Sequence, residues 1–372
     1  MKGGAEKVLR VFAEMFPDAP IYTFLYDEQK LGDWFPKERV RTSRLQKTAN
    51  RLSLIAPRSL SFNHHLYLPF FPRAAEAFSF DCAQNDKNAF DLVISSSSAF
   101  AHGIITNGNP LHLSYVHSPA RYLWDRTHDV MARSAIPLSY LFHRLRIWDS
   151  EAADRPDMLL AASHEVQRRI ELYWRRESAV LYPPIDDEWL EQRDAPTGAM
   201  ERPDYFLIVS TLARYKRIDL AINACNLAGV HLKIVGEGPD ARRLKRMAGT
   251  DIEFYGWRSG DELKDLYTRA KATIIPGEED FGLVALESLA CGTSVIAYKK
   301  GGATETVTEG KTGTFFAEPS AKSLRDTLVS FDRRQFQESA LQRSAAAFAK
   351  KHFIAEMHKH VAVLLASRTI AQ

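Results

Sequence analysis

Cysteine is scarce in this 372-residue chain, with three residues, Cys82, Cys225 and Cys291, set far apart and no C-x-x-C. That signals neither a disulfide framework nor a zinc site. A reduced, cytoplasmic compartment is therefore expected. Long apolar runs are missing as well. None reaches the ~18 residues of a membrane-crossing helix, and no secretory leader pattern precedes the first amphipathic stretch. Charge of one sign is also lacking: 49 Lys and Arg against 46 Asp and Glu leave a net +3. Nothing in that balance argues for nucleic acid, and no nucleic-acid partner is expected. No Asp-x-Asp stands at a strand end, and no internal repeat appears. What is present, 45% hydrophobic and 26% charged residues, suits a soluble chain of two ordinary domains.

One stretch organises the rest: TIIPGEEDFGLVALESLACGTSVIAY, from Thr273 to Tyr298. The β-branched run Thr273-Ile274-Ile275 stops at Pro276-Gly277. The acids Glu278, Glu279 and Asp280 follow, and Phe281 to Ala290 has helical apolar spacing. Gly292 falls where a helix-ending glycine belongs, and Ser294 to Tyr298 reads as the next strand. This is a βαβ unit, so it predicts a parallel sheet with a crevice at the carboxyl ends of its strands. Glu279 and Glu287 lie eight residues apart, just over two helical turns. Phe281-Gly282 is predicted to start the helix between them, where backbone N–H groups are free. Two carboxylates with amide donors between them suit a polyhydroxylated or phosphorylated ligand. From spacing alone, a helix-start acid and a solvated face residue account for the two acids equally well.

GEEDFGLVALESLACGTSVIAY resembles the E-x7-E signature of retaining glycosyltransferases of family 4, two-domain enzymes of GT-B fold that use nucleotide sugars. The resemblance implies that Glu279 holds a hydroxyl of the donor hexose and acts in catalysis, and that Glu287 holds the donor ribose. It also places Phe281, Gly282 and Leu283 at the donor.

The chain opens on Met1-Lys2-Gly3-Gly4-Ala5-Glu6 and enters a helical pattern at once (Val8, Leu9, Phe12). The family leads into GGAE through a strand and a glycine turn that approaches the donor phosphates. Gly3 and Gly4 are therefore candidate donor-binding residues, and the first strand is expected to be absent. Residues 37–58 carry Lys37, Arg39, Arg41, Arg44, Lys47, Arg51 and Arg58 against one acid, Glu38. Either this is a solvated helical face, or it is a patch that rests on an anionic membrane or holds a lipid-diphosphate acceptor. Asp81 to Asn88 reads as a loop, and Asp91 to Ser95 as a buried strand. HSPARYLWD, from His117 to Asp125, resembles the H-[ST]-P-x-R-Y-x-W-D element of the O-antigen mannosyltransferase branch of family 4. That implies a catalytic position for His117 against the donor sugar. Arg121 and Asp125 are acceptor candidates, or else a structural ion pair. Ser163 is a good N-cap for a helix from His164 to Trp174.

The second domain begins at the apolar run Tyr205 to Ser210. Arg214, Lys216 and Arg217 follow at a strand-to-helix turn, a natural diphosphate cradle. Lys216 matches a family lysine on the donor diphosphate. Thr211 stands where many members carry an arginine, and Arg214 is near enough to replace it. Gly236, in VGEGP, resembles a glycine turn near the nucleotide. Gly301-Gly302 resembles another turn near the donor.

The expected fold is α/β, a GT-B arrangement of two doubly wound, Rossmann-like domains with an inter-domain cleft. The expected boundaries are an acceptor-side domain over 1–187, a linker over 188–204, a nucleotide-sugar domain over 205–345, and a returning helix over 346–372. The expected reaction moves a hexose, foremost mannose from GDP-mannose, onto a glycan or lipid-linked hydroxyl with retention, needing no metal and no further cofactor. Rival readings are a UDP-hexose or GDP-fucose donor, a nucleotide-sugar epimerase, and an inactive sugar-nucleotide-binding paralogue.

Overall fold

The computed structural model describes residues 3–57, 61–85, 90–106, 110–127, 139–191 and 204–370. The chain divides into two compact units, residues 1–181 with 354–372, and residues 182–353. The predicted linker falls mostly outside the described residues, since 192–203 are among those not described; Asp187–Leu190 is a short helix.

The first unit holds two parallel sheets. In one, β1 (Ile21–Thr23) pairs with β2 (Val40–Thr42). In the other, β3 (Leu92–Ser97), β4 (Leu111–Val116), β5 (Met158–Ala161) and β6 (Ala179–Val180) run in that order. Leu113, Tyr115 and Val116 of β4 are fully buried, whereas Leu92, Val93 and Ile94 are only half-buried. The buried strand predicted over Asp91–Ser95 thus forms, but on the outside of its sheet, with β4 as its partner. The loop predicted over Asp81–Asn88 is corrected in part: helix Phe71–Asn85 runs through Asp81–Asn85, and 86–89 lie outside the described residues. Helix His164–Trp174 starts as its sequence implies, with the Ser163 hydroxyl accepting from the Val166 N–H at 3.0 Å.

The second unit is one six-stranded, all-parallel sheet. Its strands are β7 (Tyr205–Val209), β8 (His231–Val235), β9 (Ile252–Gly256), β10 (Ala272–Ile275), β11 (Val295–Tyr298) and β12 (Gly313–Phe316), in the order β12-β11-β10-β7-β8-β9. Continuous apolar runs are what a parallel sheet covered on both faces requires, and alternate residues serve opposite faces. Tyr205, Leu207, Val235, Ile275 and Val295 join one core, with Leu266 and Tyr267 of helix Gly260–Arg269 and Leu286 and Leu289 of helix Leu283–Ala290. Phe206, Ile208, Ile234, Ile274 and Ile296 join the other, with Ile222 and Cys225 of helix Ile218–Ala228 and Leu324 of helix Ala321–Ser330. Helices on both faces make this a doubly wound sheet, with the switch in strand order between β10 and β7.

Candidate functional site

In a doubly wound sheet the crevice lies past the carboxyl ends of the strands, beside the switch. The chain leaves β7 through Ser210 and Thr211 into a single 3-10 turn, Arg214–Lys216. Arg217 ends that turn with φ 54°, a left-handed conformation that non-glycine residues rarely take. The chain leaves β10 through Pro276 and Gly277 into the acids Glu278 to Asp280. These two exits meet. Lys216 Nζ donates to Glu279 Oε2 at 2.5 Å, with the two side chains 21% and 20% exposed. Burial works against the ammonium, but the Glu279 carboxylate, with Tyr215 and Asp280, outweighs it and holds the Lys216 pKa above the ordinary lysine value. The neighbouring acid, Glu278, pairs with Lys300 at 3.0 Å.

Helix Leu283–Ala290 begins two residues later than the sequence predicts. Gly282 caps it at φ 96°, which breaks the helical path. Phe281 is buried instead, its ring against Tyr182 and Phe348. The apolar spacing that suggested a helix start at Phe281 is a packing contact. Leu283 opens the helix, half-buried, and Glu287 lies on it with 8% exposure. The Tyr267 hydroxyl donates to Glu287 Oε2 at 3.1 Å, and burial together with that carboxylate raises the Tyr267 pKa well above the usual phenol value.

Close backbone approach makes two glycines obligatory. A Cβ on Gly236, at φ 134°, would stand 1.9 Å from the Ser210 carbonyl oxygen. One on Gly302 would stand 2.3 Å from Phe281 Cα. Both turns therefore press against the loops that carry Lys216 and Glu279. Arg214 is exposed, with its guanidinium 3.9 Å from Asp240. Asp240 is also held by Arg243 at 2.6 Å.

In the first unit, His117 directly follows β4. Its Nε2 lies 2.8 Å from Ser96 Oγ, and its backbone N–H donates to Ser97 O at 2.8 Å. Its ring stands edge-on to Tyr115. Arg121 and Asp125 form an i,i+4 ion pair at 3.0 Å. Arg169, 1% exposed, lies 4.0 Å from Asp125 and 3.0 Å from Glu165, and donates to Ser118 at 3.3 Å. Gly3 is the N-cap of helix Gly4–Met15, and its N–H donates to Glu6 Oε2 at 3.1 Å.

Among the predicted residues, then, the structure joins Lys216 to Glu279 and Arg121 to Asp125. It sets Glu287 on the helix that follows Glu279, and Gly236 in the turn that leaves β8, the strand next to β7. Sequence reasoning missed three partners. Ser96, beside His117, was hinted at only by a serine run at a strand end. Tyr267 carried no signal beyond its place in an amphipathic helix. Asp240, at the N-cap of helix Ala241–Met247, was not singled out.

Comparison with known proteins bears on the same region. Residues 191–348 match the family model described as Glycosyl transferases group 1. Anabaena HepE, solved in complex with UDP, superposes with a TM-score of 0.68 at 16% identity, covering 98% of this chain and 97% of that one. The fold is GT-B. Its two Rossmann-like units carry parallel sheets, and the stretch that matches the group 1 model falls almost wholly in the second. An uncharacterized glycosyltransferase of Methanocaldococcus jannaschii is 23% identical over 206 residues, 54% of this chain and 56% of that protein. A GDP-mannose-dependent alpha-(1-6)-phosphatidylinositol dimannoside mannosyltransferase of Mycobacterium tuberculosis is 37% identical over 136 residues, 35% of each chain. The chain thus spans about half or less of the length of these curated relatives.

Proposed function

We propose that the protein is a retaining glycosyltransferase of family 4. It moves a hexose, foremost mannose from GDP-mannose, onto a glycan or lipid-linked hydroxyl in surface polysaccharide synthesis. The observation that carries this reading is the Lys216–Glu279 pair at the carboxyl ends of β7 and β10, followed by Glu287 on the next helix. The pair offers a cation for a diphosphate and a carboxylate for a hexose, and the helix that follows carries a carboxylate for a ribose. Charge develops on the departing nucleoside diphosphate. Lys216, Arg214 and the backbone amides of Gly282 and Leu283 answer it, without a metal ion. Glu279 orients the hexose and His117 acts at the reaction centre. The leaving phosphate takes the acceptor's proton. Arg121 and Asp125 bear on the acceptor side through the loop that follows His117.

The mannosyltransferase match supports GDP-mannose. A second reading, a UDP-hexose donor, draws on HepE, which binds UDP. The enzyme works in the cytoplasm, against lipid-linked acceptors at the membrane face. Calorimetric titration with GDP, UDP, GDP-mannose and UDP-glucose tests the proposal. Binding of the guanosine compounds, followed by mannose transfer, supports the first reading. Binding of the uridine compounds moves the chemistry to the second. Binding of none sinks both.

A further inference from the structure

From Arg39 to Ala75 the chain has no acidic residue, while it carries Arg39, Arg41, Arg44, Lys47, Arg51, Arg58 and Arg73. Arg58 lies outside the described residues; the structure divides the others by employment. Arg39 is spent on the chain itself, donating to the carbonyls of Ala13, Phe16 and Ala19. Lys37, just before the run, is paired with Glu28, and Arg41 donates to Glu38 O. Arg44, Lys47 and Arg51 are different. All three are exposed, and none is in an ion pair among the described residues.

These three sit on helix Leu45–Leu52 and its N-cap, Arg44. Helical turns continue beyond it, with Leu54 N–H donating to Arg51 O and Ala56 N–H to Leu52 O. Spacings of three, four, three and one residues put Arg44, Lys47, Arg51, Leu54 and Ile55 within an arc of about 100°. The opposite side is the packed one. Ala49 is fully buried there, and Leu45 packs against the same core. Leu54 and Ile55 are 83% and 86% exposed, the most exposed large apolar side chains among the described residues. Two adjacent aliphatic residues at a helix end, both almost fully in water, gain little from burial among the described residues.

We propose that this face docks on an anionic lipid bilayer. Leu54 and Ile55 enter beneath the headgroups, and Arg44, Lys47 and Arg51 lie on the phosphates. The charge fits an anionic surface, and the aliphatic tip selects a bilayer. A phosphate backbone in water has nothing to offer Leu54 and Ile55, whereas the acyl boundary does. The proposal narrows the basic region to five residues and sets Arg39, Lys37 and Arg41 outside the contact. It stands on this patch alone and holds whichever donor the second unit takes.

The test is co-sedimentation of the whole chain with vesicles of phosphatidylcholine, alone or mixed with phosphatidylglycerol. Binding to the mixed vesicles is expected, weakening as salt rises. Replacing Arg44, Lys47 and Arg51 together by Gln should lower it on the order of 100-fold, about fivefold per cation. Leu54→Ser with Ile55→Ser should lower it at least tenfold while leaving the charge intact. Arg39→Gln serves as the structural contrast and should lower the unfolding temperature instead. Thermal unfolding and nucleotide titration of each surface variant confirm that the chain is folded, so a failed donor assignment and a failed docking surface read out separately. Equal binding to uncharged vesicles overturns the proposal. So does binding that ignores the Leu54/Ile55 change. Binding to a duplex oligonucleotide that needs the three cations but not the aliphatic pair would assign the patch to nucleic acid and refute it.

Discussion

Glu279→Gln should make nucleoside diphosphate bind more tightly while it destroys sugar recognition. Lys216 Nζ and Glu279 Oε2 are 2.5 Å apart, each side chain about one-fifth exposed. At an effective dielectric of about 20, a charge pair at that distance has a gross attraction of about 6–7 kcal/mol. Desolvation of both ions removes most of it, which leaves a net coupling of about 1–3 kcal/mol for a partly buried pair. A diphosphate that engages Lys216 must draw it away from this partner. Glutamine keeps the shape of Glu279 and removes the competitor, and it also removes a negative charge facing the phosphates. Both effects favour the ligand, so GDP affinity should rise about tenfold, or about 1.4 kcal/mol. The affinity ratio of GDP-mannose to GDP should meanwhile fall toward one, and turnover should collapse. Calorimetry on wild type, Glu279→Gln and Glu278→Gln measures this. Glu278→Gln makes the same charge change but frees Lys300 rather than Lys216, so the excess of the first variant over the second isolates the ion pair. GDP binding to Glu279→Gln that is unchanged or weaker would refute the reasoning.

Lys216→Ala should weaken GDP by about 10- to 100-fold and guanosine hardly at all, the loss of a charge-assisted contact; equal losses in calorimetry would remove its phosphate role. Gly236→Ala forces a Cβ to 1.9 Å from the Ser210 carbonyl at a φ that L residues avoid. A cost of about 2–4 kcal/mol in urea unfolding is expected, and a neutral result contradicts the turn geometry. Tyr267→Phe takes one hydrogen bond from the buried Glu287 carboxylate and should cost about 1–3 kcal/mol, read as a lower unfolding midpoint. Burial, and then the neighbouring His102, pushes His112 down to about 3 from 6.5. With the folded pKa depressed, the unfolded chain takes the proton first. Stability present above about pH 6.5 is therefore lost as pH falls toward 3, at about 1.4 kcal/mol per unit from this group; equal urea midpoints at about pH 7 and about pH 5 would count against it.

The second unit was legible because its signals are local. Apolar runs such as Tyr205–Val209, and Ala272–Ile275 stopped by Pro276-Gly277, read as buried parallel strands, and Glu279 and Glu287 sit on fixed steps of one βαβ unit. Contacts between distant segments were not legible. Phe281 kept the helical spacing of its neighbours, yet Tyr182 and Phe348 claim its ring, and the helix starts only after Gly282. Tyr267 lies 20 residues from Glu287 and Ser96 lies 21 from His117, too far for any spacing rule. The basic run hid a division of labour. Nothing in composition separates Arg39, bound to three carbonyls, from Arg44, bound to none among the described residues. At Asp81 to Asn85 polar composition suggested a loop, but the turn-to-turn hydrogen bonds of helix Phe71–Asn85 carry on through it.

The strand order of the second unit also sets when its site comes into being. Strands β7, β8 and β9 pair with sequence neighbours, and each closes a short loop. Strand β10 must travel back across that half-sheet to lie against β7, and only then do Lys216 and Glu279, 63 residues apart, meet. Closing so long a loop comes late in a folding chain, since its entropy is lost before its contacts form. A ribosome-bound chain that has emerged only through β9 carries Lys216 without its counter-charge, and its half-sheet ends on the open edge of β7. The Lys216–Glu279 pair therefore belongs to the finished domain and to no fragment of it.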